Sequence, residues 1–130
     1  MCIFCSIINN EIPSYKLYED ENVLAFLDIS QTTFGHTIVV PKKHFTNILD
    51  VDPDTYCQLM KVVKELACKI QTKTNAKGIN ILHNANEAAG QTVMHMHYHI
   101  IPRYDENDKL EIVFNENPAK DLEKAYELLK

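Results

Sequence analysis

The apolar residues of this 130-residue chain form several short runs and one long stripe at helical spacing. Short runs at positions 15–18, 23–27, 35–41, 78–83 and 93–101 predict five strands, and the run at 35–41 is β-branched and ends at proline. Between the third and fourth runs, Asp52 and Pro53 provide an N-cap followed by a first helical position. The stripe behind them predicts a long helix to about residue 72; its members are Tyr56, Leu59, Met60, Val63, Leu66, Ala67 and Ile70.

The two ends of the chain also contain helical patterns. Residues 3–9 predict a short apolar turn of helix, and a second full helix is predicted from about Pro118 to Leu129. The fold class expected from this order is α+β: a five-stranded, mostly antiparallel sheet with one long central helix and a C-terminal helix. With no repeat or linker between these elements, we expect a single domain over residues 1–130.

Composition and charge exclude several classes of protein. Hydrophobic residues make up 45% and charged residues 24% of the chain, as in ordinary globular domains. A formal net charge of −5 gives no electrostatic reason to expect a nucleic acid or an anionic membrane as partner. The first ten residues lack the basic region of a secretory signal, so we expect a cytoplasmic location. The four cysteines are then expected to be reduced thiols or metal ligands.

Three histidines at alternating positions, His95, His97 and His99, are the most informative feature of the chain. In a strand they would share one face at intervals of about 6.6 Å, with Met96 and Tyr98 directed to the core on the other. A row of imidazoles is compatible with catalysis or phosphate binding, with a metal site, or with a structural polar face. Spacing alone does not separate these three interpretations.

The N-terminal Cys2-Ile-Phe-Cys5 is a second, separate motif. Such a pair is compatible with a redox centre, half of a metal site, or coincidence. A thioredoxin-type centre requires a preceding strand in a βαβ unit, and nothing in this sequence provides that strand. A metal site requires two further ligands.

The segment from His95 to Ile101 resembles the His-φ-His-φ-His-φ-φ signature of the histidine-triad (HIT) family of nucleotide-binding hydrolases, where φ is hydrophobic. The similarity covers about residues 3–103 and includes blocks of similar residues in the same order as in the family. These blocks lie at residues 3–4, 12–13, 25–29, 35–37, 41–44 and 90–93. The resemblance implies a HIT-like fold and a homodimer whose sheets join edge to edge, which would also cover exposed sheet edges.

The resemblance implies a role for each histidine near the phosphate. His97 would attack the α-phosphorus of a nucleotide and form a covalent nucleotidyl-histidine, which water then hydrolyses. His99 would orient the ring of His97 and bind the phosphate, with His36 packed behind it. Gln91 and Thr92, with nearby backbone amides, would also place a hydrogen-bond donor beside the leaving group. The residues implied to contact the phosphate from loops are Asn84, Gln91 and Thr92.

The same resemblance assigns the nucleoside part of the site. Asp28 would accept the ribose hydroxyls, because a carboxylate offers two acceptor oxygens. Without the family, Asp28 would be interpreted as a turn residue. The apolar slot for a purine would consist of Phe4, Ile7, Phe26, Leu27 and Ile29.

Microbial members of the family resemble this chain in its cysteine pair. They imply a tetrahedral zinc held by Cys2, Cys5, His44 and His95. The first histidine of the triad would then serve the metal, and the other two would serve the phosphate.

The function implied by the resemblance is hydrolysis of a purine nucleoside 5′-phosphoramidate to a nucleoside monophosphate and an amine. Cleavage of dinucleoside polyphosphates is the enzymatic alternative, because residues 91–95 and Pro102-Arg103 look closer to that branch. An AMP- or GMP-binding sensor with incidental turnover would have the same residues. A metal-dependent hydrolase using all three histidines is disfavoured, because no carboxylate adjoins the triad. We expect His83, at the end of a strand, to be structural or exposed.

Overall fold

The computed structural model describes residues 1–114 and 121–130 and has the predicted α+β architecture. The three helices are α1, α2 and α3, and the five strands are β1 to β5, numbered in chain order. Their bounds are α1 Ile3–Ile8, β1 Lys16–Glu19, β2 Val23–Leu27, β3 Thr37–Pro41, α2 Pro53–Thr74, β4 Gly78–Leu82, β5 Tyr98–Arg103 and α3 Leu122–Leu129.

The sheet has the strand order β1-β2-β3-β5-β4, and every neighbouring pair is antiparallel. Side chains alternate along β2, so Val23 and Ala25 pack in the cluster with α2 whereas Leu24 and Phe26 pack in the cluster with α1. Helices therefore cover the central strands on both faces, which explains why β2 and β3 are almost continuously apolar. The α1 face is the one on which the candidate site is built.

The long helix α2 agrees closely with its predicted stripe. Asp52 caps its start by accepting a hydrogen bond from the backbone N–H of Thr55 at 3.0 Å. Asn75 ends it in the left-handed conformation, with a φ of +57°. All seven predicted stripe residues lie in or against the core cluster on this face of the sheet, as the helical spacing requires.

The last predicted strand differs from the structure at its start. It begins at Tyr98 instead of Val93, so His95 and His97 precede the strand and only His99 lies within it. The backbone here bonds outside the sheet ladder: the N–H of Met96 donates to the carbonyl of Phe45 at 2.7 Å. The alternation of side chains nevertheless continues through this segment, because Met96 and Tyr98 are both buried in the α2 core.

The C-terminal helix is present, from Leu122 to Leu129. Its predicted start near Pro118 lies outside the described residues. Across residues 1–114 and 121–130, no helix combines the length and the apolar character needed to cross a bilayer.

We expect Asp52→Ala to lower the free energy of unfolding by about 1 kcal/mol, because it removes the side-chain acceptor for the Thr55 N–H. Urea denaturation measures this change. Asp54→Ala is the matched control, since Asp54 is in the first turn of α2 and exposed. Equal losses from the two substitutions would contradict a capping role for Asp52.

Candidate active site

A cavity of about 270 Å³ opens on the α1 face of the sheet, beside residues 95–99, which we call the histidine segment. Its lining is mostly apolar, and its polar side chains are those of Ser14, Asp28, Thr92, His97 and His99. The residues from the predicted site that line it are Phe4, Ile7, Phe26, Leu27, Asp28, Ile29, Thr92, His97 and His99. The structure thus brings together residues that are up to 95 positions apart in the sequence.

His97 is only 6% exposed, yet its ring borders the cavity. Its Nδ1 lies 2.7 Å from the backbone carbonyl of His95. A carbonyl can only accept, so this hydrogen-bond network assigns the proton to Nδ1 and leaves a lone pair on Nε2. Burial lowers the pKa of His97, which favours the neutral ring. A buried, neutral imidazole with its Nε2 unprotonated has the form that a nucleophile requires.

His99 and His36 form a hydrogen-bonded pair, with 2.9 Å between His99 Nδ1 and His36 Nε2. His36 Nδ1 is buried without a partner among the described residues. Placing the His36 proton on Nε2 avoids an orphan donor and leaves His99 with its own proton on Nε2. Burial, followed by the neighbouring His97 and His36, lowers the pKa of His99 to about 4. His99 is therefore a neutral donor at the edge of the cavity.

Asp28 lies directly after β2 and lines the cavity. Its Oδ1 accepts from the backbone N–H and the hydroxyl of Ser30, both at 2.7 Å. Its Oδ2 lies 3.7 Å from His36 Nε2. The Ser30 hydrogen bonds hold the pKa of this carboxyl below its ordinary value although partial burial opposes them. An ionised Oδ2 thus remains available as an acceptor.

The three loop residues predicted to contact phosphate have different environments. Thr92 is exposed and lines the cavity. Gln91 is buried, and its amide makes four hydrogen bonds that tie the loop together: its Oε1 accepts from Asn86 and Asn47, and its Nε2 donates to two carbonyls. Asn84 makes a long hydrogen bond of 3.4 Å to the Gly90 carbonyl. In the described part of the chain, neither Gln91 nor Asn84 lines this cavity.

A second cluster is built around His95, the first residue of the histidine segment. The ligand atoms of Cys2, Cys5, His44 and His95 all lie within 4.8 Å of one another. His95 Nδ1 is 3.4 Å from the sulfur of Cys2 and 3.6 Å from that of Cys5, and His44 Nδ1 is 3.5 Å from the sulfur of Cys5. Ligand atoms around a tetrahedral zinc would be separated by about 3.4–3.8 Å.

The hydrogen bonding of His95 supports the same interpretation. Its Nε2 lies 2.8 Å from the Pro41 carbonyl, so Nε2 carries the proton and donates. The Nδ1 lone pair therefore faces the two sulfurs. Metal-binding histidines ordinarily donate their second nitrogen to a carbonyl or carboxylate in this way. The four residues form a possible metal site.

Two cations that are close to the histidines or to His44 in sequence, Arg103 and Lys42, are paired with other groups. Arg103 is the last residue of β5 and donates to Asp108, to Asn80 and to the Leu110 carbonyl at 2.6–2.9 Å. The amine of Lys42 lies 2.8 Å from the carboxylate of Glu19. Among the described residues, no lysine or arginine lines the cavity.

The sequence did not predict a site role for several residues. Ser14, Ile38 and Val93 also border the cavity, brought there by β3 and by the loops beside α1 and before β5. His83 lies against the backbone of His97, on the opposite side from the cavity. The sequence placed His83 at the end of a predicted strand, and that position could have indicated it, because β4 pairs antiparallel with β5 and brings His83 beside the histidine segment.

Comparison with known proteins agrees with the fold and the motif. The HIT domain matches residues 9–106. A HIT-like protein of Methanocaldococcus jannaschii is 46% identical over 130 residues, covering 100% of this chain and 99% of its own. The adenosine 5′-monophosphoramidase of Saccharomyces cerevisiae is 40% identical over 109 residues, or 84% of this chain and 66% of its own.

Solved structures are similar over nearly the whole chain. A HIT family protein from Bacillus anthracis has a TM-score of 0.92 and 45% identity, covering 98% of this chain and 91% of its own. A Zn-bound histidine triad family protein from Mycobacterium smegmatis has a TM-score of 0.78 and 38% identity, with 89% and 84% covered. From the matched domain, the relatives and the shared fold, this chain belongs to the HIT family.

Proposed function

We propose that this protein hydrolyses purine nucleoside 5′-phosphoramidates to nucleoside monophosphates through a covalent nucleotidyl intermediate on His97. The observation that carries the proposal is the arrangement of His97, whose Nδ1–H is held by the His95 carbonyl while its ring borders the cavity. The similarity to a yeast adenosine 5′-monophosphoramidase supports the choice of substrate class.

In the first step, His97 Nε2 attacks the α-phosphorus and the bond from phosphorus to the amine nitrogen breaks. The ring becomes positively charged at this moment, and the hydrogen bond from its Nδ1 to the His95 carbonyl stabilises it. The amine takes a proton as it leaves, drawn from solvent and relayed through the Thr92 hydroxyl. In the second step, water attacks phosphorus and gives up a proton to solvent, which replaces the one used in the first step. The bond to Nε2 breaks, and the nucleoside monophosphate and the neutral ring are restored.

The remaining residues hold the substrate. His99 donates from Nε2 to a phosphate oxygen and is itself positioned by His36. Thr92 places its hydroxyl beside the leaving group. Gln91 and Asn84 lie outside the cavity lining, so Gln91 acts indirectly, by tying together the loop that leads to Thr92. Asp28 Oδ2 accepts the ribose hydroxyls. The base lies in the slot of Phe4, Ile7, Phe26, Leu27 and Ile29.

We expect His97→Ala to reduce turnover to less than about 1% of wild type, because the covalent step is lost. AMP affinity should change little, since the base and ribose contacts are separate from the His97 ring. Steady-state kinetics and calorimetric titration with AMP measure the two quantities. A variant that retains more activity than this would exclude His97 as the nucleophile.

The charge of the site separates the two enzymatic alternatives. A leaving phosphate carries additional negative charge and calls for cations, whereas a leaving amine needs a proton donor. Since Arg103 and Lys42 are engaged elsewhere, the donors at the cavity are neutral imidazoles and a hydroxyl. Neutral donors suit an amine leaving group better, which favours the phosphoramidate over a dinucleoside polyphosphate.

We therefore expect adenosine 5′-phosphoramidate to exceed diadenosine triphosphate by about tenfold or more in kcat/KM, or about 1.4 kcal/mol in the transition state. Thr92→Ala should reduce this rate more than the rate with an acidic, activated leaving group, because only the amine needs a donor. Thr92→Ser retains the hydroxyl and is the matched control. A preference for the dinucleotide would favour polyphosphate hydrolysis, and a kcat below about 1 s⁻¹ on every substrate would favour a nucleotide sensor.

We also propose that the cluster of Cys2, Cys5, His44 and His95 holds zinc. When bound, the ion would fix α1, which carries Phe4 and Ile7, against the histidine segment. The T-shaped contact between Phe4 and His97, with ring centroids 5.0 Å apart, joins that helix to the nucleophile. This metal would have a structural role, because the phosphate site lies on the other two histidines.

Purified protein should contain about one zinc per chain, and Cys5→Ser should lose it with a clear fall in melting temperature, since metal binding energy is folding energy. Elemental analysis and thermal denaturation with and without chelator provide the measurement. Cys57→Ser is the matched control, because Cys57 is a free, exposed cysteine of α2. If wild-type protein contains no metal and its melting temperature is the same with and without chelator, the zinc site is excluded and Cys2 and Cys5 are ordinary thiols.

We propose, finally, that two copies join edge to edge into a larger sheet. The strands β1 and β4 are the edges of the sheet, and Ile81 on β4 is exposed. An unpaired edge with apolar side chains favours pairing with a second chain. Light scattering at micromolar concentration should give the mass of a dimer, and a monomeric mass would refute this arrangement.

A further inference from the structure

His83 contacts the backbone of the histidine segment from the side opposite the cavity. Its Nδ1 lies 2.9 Å from the carbonyl oxygen of His97, and its Nε2 accepts the backbone N–H of Ile48 at 3.1 Å. Its ring stacks on Tyr98, with centroids 4.6 Å apart and planes 19° from parallel. Three contacts thus hold this half-buried ring in one orientation.

These partners also determine which nitrogen carries the proton. The Ile48 backbone N–H can only donate, so the Nε2 of His83 must present a lone pair. In the neutral ring the proton is then on Nδ1, which donates to the carbonyl of His97. Each ring nitrogen therefore makes a hydrogen bond of defined direction.

The carbonyl of His97 belongs to a peptide group just before β5 begins. The pairing between β3 and β5 covers Tyr98 to Ile100, so the histidine segment before it depends on other partners. Two of these are the Phe45 carbonyl, which accepts from the Met96 N–H, and the ring of His83, which donates to the His97 carbonyl. The loop containing Phe45 and Ile48 therefore bonds to the segment once directly and once through the ring of His83.

We propose that His83 is a positioning residue that fixes the peptide of His97 and thereby the direction of the His97 Nε2 lone pair. This inference rests on the proposed role of His97 as nucleophile. Rates of in-line attack are sensitive to displacements of about 1 Å, which can cost about 100-fold. His83 itself does not line the cavity in the described part of the chain, and His97 is the one of its three partners that does.

Two conservative variants separate the two hydrogen bonds. In His83→Asn the amide nitrogen occupies the place of Nδ1 and can still donate to the His97 carbonyl, while the Ile48 bond is lost. In His83→Gln the amide oxygen reaches the place of Nε2 and can accept from Ile48, while the donor to His97 is lost. His83→Ala loses both hydrogen bonds.

We expect His83→Ala and His83→Gln to lower kcat about 10- to 100-fold, with KM and AMP affinity within about threefold of wild type. His83→Asn should retain kcat within about threefold. In histidine-labelled protein, the ¹⁵N signals of the His97 ring should shift in His83→Gln and keep their wild-type values in His83→Asn. Melting temperatures measured beside these show whether a fall in kcat merely follows a loss of stability.

Similar kcat values for all three variants, or a kcat that follows melting temperature across them, would overturn the positioning role. Full activity in His97→Ala would overturn the proposed function instead. The ¹⁵N signals of the His97 ring can still be measured in the His83 variants, which all retain His97. Unchanged signals in His83→Gln would then overturn the positioning role as well, whereas shifted signals would retain it.

Discussion

The hydrogen bond from His97 Nδ1 to the backbone carbonyl of His95 is the interaction on which the candidate site depends. It assigns the proton of the His97 ring, and so decides which nitrogen has a lone pair for reaction. The same residue whose carbonyl accepts this bond directs its imidazole to the cluster with Cys2 and Cys5. His95 therefore links the possible metal site, which its ring contacts, to the proposed nucleophile, which its backbone carbonyl holds.

This bond is possible because the histidine segment joins the regular sheet only at Tyr98, after His97. In a complete ladder, the carbonyls would pair with a neighbouring strand, and side chains would not be needed to hold them. Here the rings of His83 and His97 donate hydrogen bonds to carbonyls of the segment, and the N–H of Met96 donates to the loop carbonyl of Phe45. Buried backbone groups are satisfied while the histidine rings remain individually oriented.

The proposed phosphate site has neutral side-chain donors. Burial lowers the pKa of His36, His97 and His99, so these rings are neutral at pH 7. In the proposed mechanism, positive charge develops on His97 only as it attacks phosphorus. Stabilisation that appears only at this stage contributes to rate and not merely to substrate binding.

The sequence by itself determined the elements and their faces, because hydrophobic periodicity depends on local geometry. The stripe of α2, its cap at Asp52 and the burial of Met96 and Tyr98 follow directly from that pattern. The order of histidines and the cysteine pair, with the resemblance they carry, also indicated the family.

Only the tertiary structure decided how the polar groups are paired, because hydrogen-bond partners distant in sequence leave no periodic signal. In the structure β5 begins at Tyr98 instead of Val93, since the N–H of Met96 donates to the loop carbonyl of Phe45 and not to a neighbouring strand. The tertiary structure also buried Gln91 among backbone groups and placed His83 against the backbone of His97, the proposed nucleophile. Residue types and spacing therefore predicted which chemistry this chain has available, whereas the packing of loops against the sheet determined the orientation of each ring.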